Sequence, residues 1–122
     1  MLVTADLHTH SAYSFDADYD PAQMLAAAAE NGLRQICITD HVDFYTPSDV
    51  HLPDFAARRA RLAQLRGQFP QLTVLEGAEV SMTADPACAR SAMAALDGVK
   101  LDFVIGSVHM FRDEDGCTGR GR

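Results

Sequence analysis

The chain has 122 residues, 48% of them hydrophobic and 22% charged, with a formal net charge of -7. That length carries one domain with a real core rather than two, and the acidic balance argues against non-specific binding to nucleic acid or anionic membranes, which rests on clustered Lys and Arg. No apolar stretch approaches the roughly 18 residues of a membrane span, and the first residues lack a basic leader, so a cytoplasmic, membrane-free protein is expected.

The first apolar run, Met1 to Leu7, reads as a strand that closes on His8 and His10. Asp20-Pro21-Ala22-Gln23 then supplies an N-cap, a first-turn proline and a capping-box glutamine for a helix through Met24 and Leu25, which Asn31-Gly32 stops. A second strand over about 34–39 is followed by a polar loop holding Pro47, Ser48 and Asp49, and a helix entered near Pro53 shows Phe55, Leu62, Leu65 and Phe69 on its apolar side. A third strand over about 72–79, a helix from Asp85-Pro86 to Asp97-Gly98, and a fourth strand over about 102–108 complete the pattern. Residues 113–122 have no periodicity and three glycines, so an irregular tail is expected beyond a domain of residues 1–112. Cys37, Cys88 and Cys117 are odd in number and form no C-x-x-C pair; Cys37, inside an apolar run, reads as a buried free thiol in a reducing compartment.

The order is β-α-β-α-β-α-β, an α/β class with four parallel strands alternating with three helices and right-handed crossovers. Both an open sheet and part of a barrel satisfy it. A full (β/α) barrel takes about 250 residues, so four strands would be half of one.

Four of the five histidines sit where such runs end: His8 and His10 after the first, His41 after Ile36 to Asp40, and His109 after Phe103 to Val108. Strands of this kind present their C-terminal ends on one rim, so these side chains converge there, and convergent imidazoles and carboxylates make a metal site. Asp6, His8 and His10 alternate along one strand and share a face, although two imidazoles about 7 Å apart need the chain to curl before they bind one ion. H-x-H by itself also fits surface or satisfied core histidines. Asp16 reads either as a turn former or as a ligand on a loop folded back over the rim. At Asp40-His41 the imidazole is the better ligand candidate and the carboxylate a supporting acceptor that fixes a histidine tautomer. Glu79 and Glu76 lie on opposite faces of a regular strand, and Glu79, nearer the C-terminal end, is the one chosen for the site.

Gly106 permits close backbone approach near His109. His51, in a polar loop, reads as plainly exposed. Arg58, Arg59, Arg61 and Arg66 interleave with alanine and leucine and read as a solvated helix face. Arg112, near the His109 rim, is the better phosphate contact. The chain contains no G-x-x-x-x-G-K-[ST], no G-x-S-x-G and no zinc-ribbon cysteine pattern.

Asp6-Leu7-His8-Thr9-His10, Ser14-Phe15-Asp16, Ile38-Thr39-Asp40-His41, Gly77-Ala78-Glu79 and Gly106-Ser107-Val108-His109 together resemble the N-terminal motifs of the PHP (polymerase and histidinol phosphatase) superfamily, over about residues 3–112. The opening H-T-H-S, the T-D-H-V-D segment and I-G-S-V-H look most like its histidinol-phosphatase branch. The resemblance implies a distorted (β/α)7 barrel with metals on its C-terminal rim, and hydrolysis of L-histidinol phosphate to L-histidinol and phosphate in histidine biosynthesis. It implies that His8 and His10 bind a first metal, Glu79 bridges the first and second, His109 binds the second, and Asp16 and His41 the third. The cofactors implied are two or three divalent ions, Zn, Mn or Fe, with Asp6 and Asp40 supporting and a metal-bound hydroxide as the attacking group. Family members continue with further ligands, and residues 113–122 hold no histidine, so the chain is read as the N-terminal half.

The expected activity is therefore that of a metal-dependent phosphomonoesterase on a small-molecule phosphate ester, with no nucleic-acid or membrane partner and with self-association through exposed sheet edges. Two other readings stand beside it: a phosphoesterase of the same family acting on a nucleotide or nucleic acid, and an inactive metal-binding fragment.

Overall fold

An aspartate opens each of the three helices. In α1 (Pro21–Glu30) the Asp20 side chain accepts from the Ala22 amide at 2.8 Å, while the Gln23 side chain accepts from the Asp20 amide at 3.1 Å, completing the capping box. Asp54 caps α2 (Phe55–Arg66) through the Ala57 amide at 2.9 Å, and Asp85 caps α3 (Pro86–Leu96) through the Ala87 amide at 2.8 Å. Each such cap satisfies an orphan N–H and contributes about 1 kcal/mol. Gly32 and Gly98, just past α1 and α3, take the left-handed conformation with φ of 75° and 74°, which glycine adopts without a Cβ penalty.

The computed structural model describes residues 2–112 and 118–120, with side chains described through His109. Between the helices run β1 (Ala5–Thr9), β2 (Gln35–Thr46), β4 (Thr73–Ser81) and β5 (Phe103–Ser107), hydrogen-bonded in that order and all parallel. A short β3 (Asp49–His51) folds back antiparallel on β2, and β6 (Met110–Arg112) pairs antiparallel with β7 (Thr118–Arg120). Two expectations change here. The second strand does not stop near residue 39, because Val42 and Phe44 are buried and carry it on to Thr46 and into the β3 hairpin. Residues 118–120, expected in an irregular tail, form β7; residues 113–117 and 121–122, with Cys117, lie outside the described residues.

The core shows why the sheet is of barrel type. One cluster joins Leu25, Leu62 and Leu65 of α1 and α2 to Ile36, Ile38 and Val74, and a second joins Cys88 and Ala92 of α3 to Val42, Phe44 and Ala78. All the β2 and β4 residues in both clusters have even numbers and so share one face, because side chains alternate along a strand. Helices on a single face of a sequentially ordered parallel sheet make part of a barrel wall, whereas a doubly wound sheet carries helices on both. Four parallel strands and three helices thus form a partial, curled barrel sheet. The odd-numbered residues Cys37, Thr39, His41 and Asp43, with Gly77, Glu79 and Ser81, occupy the other face. Gly77 has to be small: a Cβ there would lie 2.7 Å from the Phe103 carbonyl oxygen and 2.9 Å from Cys37 Sγ.

Candidate metal centre

Register brings the candidate ligands together. The eight-pair ladder between β2 and β4 sets His41 beside Glu79, and the β4–β5 ladder sets Ser81 beside Ser107, two residues before His109. On the other side, β1 gains one residue relative to β2 between Asp6 and Thr9. A bulge of this kind bends a strand and re-aims its side chains, and the His8 and His10 rings end with centroids 5.3 Å apart. Beyond β1 the chain turns back: the Ala12 amide donates to the Tyr19 carbonyl at 2.8 Å, and Asp16 is delivered to the rim.

Glu79 is the hub. Its Oε2 lies 3.0 Å from His8 Nε2, 2.8 Å from His10 Nε2 and 3.7 Å from His41 Nε2, and its Oε1 lies 2.9 Å from His109 Nε2. Asp16 Oδ2 is 2.9 Å from His10 Nδ1 and 3.1 Å from His41 Nε2. Asp43 Oδ1 is 3.6 Å from His41 Nδ1 and 3.4 Å from His109 Nδ1, and it also accepts a very short hydrogen bond from the Ser81 hydroxyl. The rings form a row, with His10–His41 centroids at 4.4 Å and His41–His109 at 4.7 Å.

Three groups follow, His8/His10/Glu79, His10/Asp16/His41 and His41/Asp43/His109, in each of which the ligand atoms lie within 4.8 Å of one another. Donors gathered on one ion at about 2.0–2.2 Å stand about 3–4.4 Å apart, so these spacings suit a shared cation. The orientation agrees with the distances. His10 Nε2 and His41 Nδ1 are buried without a hydrogen-bond partner, although the former lies 2.8 Å from a carboxylate oxygen. Nitrogen and oxygen that close yet not aligned as donor and acceptor are aimed at common space rather than at each other. The clusters are capable of coordinating two or three divalent ions.

Burial alone would raise the Glu79 carboxyl, but hydrogen bonds from Ser107, His8 and His109 and the nearby His41 outweigh it and hold it at about 2. Asp16 behaves alike: burial raises it, and hydrogen bonds from His10 and Ser14 bring it below the usual carboxylate range. Both are therefore ionised acceptors at neutral pH.

All six residues singled out in the sequence, His8, His10, Asp16, His41, Glu79 and His109, meet in this centre. Asp6 accepts from the His8 amide at 3.2 Å, supporting the backbone of that residue rather than its ring. Asp40 differs from expectation. It faces the helices, not an imidazole, and its carboxylate accepts from Ser11 and from Arg58 Nη1 at 2.9 Å. The solvated arginine face is corrected at Arg58, which is fully buried; Arg59 is exposed and Arg61 and Arg66 half-buried, but Arg59 and Arg66 reach Glu76 and Arg61 pairs with Asp20 at 2.9 Å. The signal lay in β-strand parity, since Asp40 and Glu76 share the helix-facing side with Ile38 and Val74 and require cations there. Asp43 was missed for the same reason; two residues from His41, it must share that histidine's face. His51 is exposed as expected, 3.1 Å from Asp49 and edge-on to Tyr45. The side chain of Arg112 lies outside the described residues.

The chain matches the PHP domain family over residues 6–120, which runs past the boundary expected at 112. It is 30% identical over 118 residues to a histidinol-phosphatase of Lactococcus lactis, covering 93% of this chain and 42% of that protein. It is 38% identical over 96 residues to an error-prone DNA polymerase of Nocardia farcinica, covering 77% of this chain and 7% of the polymerase. A crystal structure of histidinol phosphate phosphatase from Lactococcus lactis, complexed with zinc, L-histidinol and phosphate, superposes with a TM-score of 0.78 at 29% identity, over 88% of this chain and 41% of that one. The chain thus spans less than half the length of these relatives. Among the described residues no helix is long and apolar enough to cross a membrane.

Proposed function

The chain belongs to the PHP domain family, and from that premise we propose that it carries the metal-binding part of a phosphomonoesterase hydrolysing L-histidinol phosphate to L-histidinol and phosphate. The observation behind this is the set of three triads overlapping through His10 and His41, with two buried ring nitrogens left without hydrogen-bond partners. By this reading His8, His10 and Glu79 would hold one ion, Asp43 and His109 a second, and Asp16 and His41 a third, each imidazole serving one ion through its single lone pair. Divalent zinc, manganese or iron bound there supplies Lewis acidity, neutralising phosphate oxygens and lowering the pKa of water toward about 7.

The protein's own part is to stay charged and open. Glu79, at about 2, presents an anion at any physiological pH. A cavity of about 430 Å³, lined by Phe15, His41, His51 and Leu52 among others, borders the His41 ring and receives the organic half of the ester in this reading. Histidine biosynthesis, a cytoplasmic location and self-association through the edge strands β1 and β5, near which Leu2, Val3 and Val104 are exposed, are parts of the same proposal.

The similarity to an error-prone polymerase favours one rival, hydrolysis of nucleic-acid phosphodiesters. Phosphate release from L-histidinol phosphate and nucleotide release from single-stranded DNA, each with added manganese or zinc, separate the two. Turnover of the small ester alone, lost in His8→Ala, is the expected result; turnover of DNA alone would replace the proposal with its rival, and turnover of neither would leave a metal-binding unit without activity.

A further inference from the structure

Asp16 is the least anchored member of the centre. It is exposed and sits outside the strands, between β1 and α1, yet it is held 2.9 Å from His10 and 3.1 Å from His41. The support lies beneath the loop. Ser11 is wholly buried; its amide donates to Asp40 Oδ1 at 2.6 Å and its hydroxyl to Asp40 Oδ2 at 2.9 Å. Asp40, also fully buried, takes its positive partner from Arg58 Nη1 at 2.9 Å, while Arg58 Nη2 donates to the Gly77 carbonyl at 2.7 Å, two residues before Glu79.

Above Ser11 the bonding continues upward to the rim. The Ser11 hydroxyl accepts from the Tyr13 amide at 3.3 Å, its carbonyl accepts from the Ser14 amide at 2.8 Å, and the Ser14 hydroxyl accepts from the His41 amide at 3.1 Å. A buried ion pair is on its own a weak stabiliser, because desolvating both charges offsets their attraction. What a guanidinium does supply is a rigid fork that fixes two acceptors relative to each other. Here the two acceptors lead to different parts of the centre: Asp40 and Ser11 to the loop of Asp16, and Gly77 to the strand of Glu79.

We propose that Arg58 is a positioning residue, which through Asp40 and Ser11 seats the loop carrying Asp16 against His10 and His41, in register with the strand carrying Glu79. The proposal rests on the reading of those residues as metal ligands. It requires that loosening the seat free the Asp16 arm while the rest of the centre stays formed.

The test uses the 122-residue chain and two variants, Ser11→Ala, which removes only the hydroxyl contacts, and Arg58→Lys, which keeps the charge and loses the fork. Hydrogen exchange is followed on the metal-free protein, and zinc and manganese binding by calorimetry. Exchange over residues 11–19 is expected to quicken about tenfold or more while β4 keeps its protection, and one bound ion is expected to weaken by about 10–100-fold, as when a ligand's hydrogen-bonded support is lost. Adding Asp16→Ala to Ser11→Ala should weaken that ion no further than Asp16→Ala alone. Unchanged exchange in the loop, or acceleration spread evenly over the whole chain, overturns the proposal. Should Arg58→Lys fail to fold, Ser11→Ala decides by the same readouts. If the unaltered chain binds neither metal, the metal reading fails, and the exchange result still decides whether Arg58 seats the loop.

Discussion

Asp40 and His41 are neighbours in β2, and they face two environments that treat carboxylates in opposite ways. On the helix side Asp40 meets Arg58, and Glu76 meets Arg59 and Arg66, so each anion has a permanent cation. On the other side Asp16, Asp43 and Glu79 are surrounded by four imidazoles, and among the described residues no arginine or lysine is an ion-pair partner of theirs. A guanidinium keeps its proton at any usable pH and closes its site. An imidazole in its neutral form offers a lone pair, so carboxylates set among imidazoles can share an exchangeable cation. One strand therefore separates a locked polar layer from an exchangeable one.

Removing the permanent cation should give the largest effect. Arg58→Ala leaves Asp40 charged in a site that is 0% exposed, and breaking such a pair costs about 3–5 kcal/mol. For a domain of this size that corresponds to a fall in Tm on the order of 10–20 °C, measured by calorimetry on metal-free protein. A fall of a degree or two would mean that water reaches Asp40, and the two sides of β2 would not differ as argued.

The exchangeable side should respond to metal instead. Zinc or manganese at about a hundred times its Kd should stabilise the chain by about 2.7 kcal/mol per site, and a chelator should reverse the gain. His41 belongs to two triads and His8 to one, so His41→Ala should lose more of that gain than His8→Ala. Equal losses would argue that the triads do not act as overlapping sites.

Much of this division was legible in the sequence, and what was missed follows one pattern. Asp20 and Asp85 announced their helices because a cap acts within a few residues, and the strand-end histidines announced the rim because alternating strands and helices must present their ends together. The boundary of β2 was misplaced because Asp40-His41 reads as a polar stop, whereas Val42 and Phe44 find a buried cluster that only the fold supplies. The arginines of α2 were misread because their partners, Asp40 and Glu76, lie 18 and 10 residues from Arg58 and Arg66. Asp43 needed no tertiary information, only the two-residue period applied one step past His41. Side-chain parity within a strand is local and readable; which helix covers which face is not.

Gly77 sharpens the comparison below the rim. It is the point where Arg58, on the helix side, holds the strand whose other face packs on Cys37 and Thr39. Gly77→Ala would drive a methyl to 2.7 Å from the Phe103 carbonyl oxygen, and overpacking of this kind costs about 1–3 kcal/mol. The expected variant melts lower and binds metal more weakly, because Glu79 moves with its strand. A lower Tm with unaltered metal affinity would show that the rim is independent of the sheet beneath it.

The smallest effect concerns how dry that inner face is at its base. Cys37 shares the face of His41 but is fully buried, and burial pushes its thiol up to about 11 from an ordinary value of 9.0. The folded chain thus keeps the thiol protonated where the unfolded chain ionises it. Stability from this group is complete well below pH 9 and is lost as pH rises toward 11, with a limiting slope of about 1.4 kcal/mol per pH unit and a loss of about 1.4 kcal/mol by pH 10. Cys37→Ala should flatten that part of the stability profile, and the native thiol should resist alkylation at pH 8 until the chain is unfolded. Rapid alkylation of the folded protein would mean that water enters from the rim down to Cys37, and the contrast would then lie only between the two faces of β2, not also between the top and bottom of one.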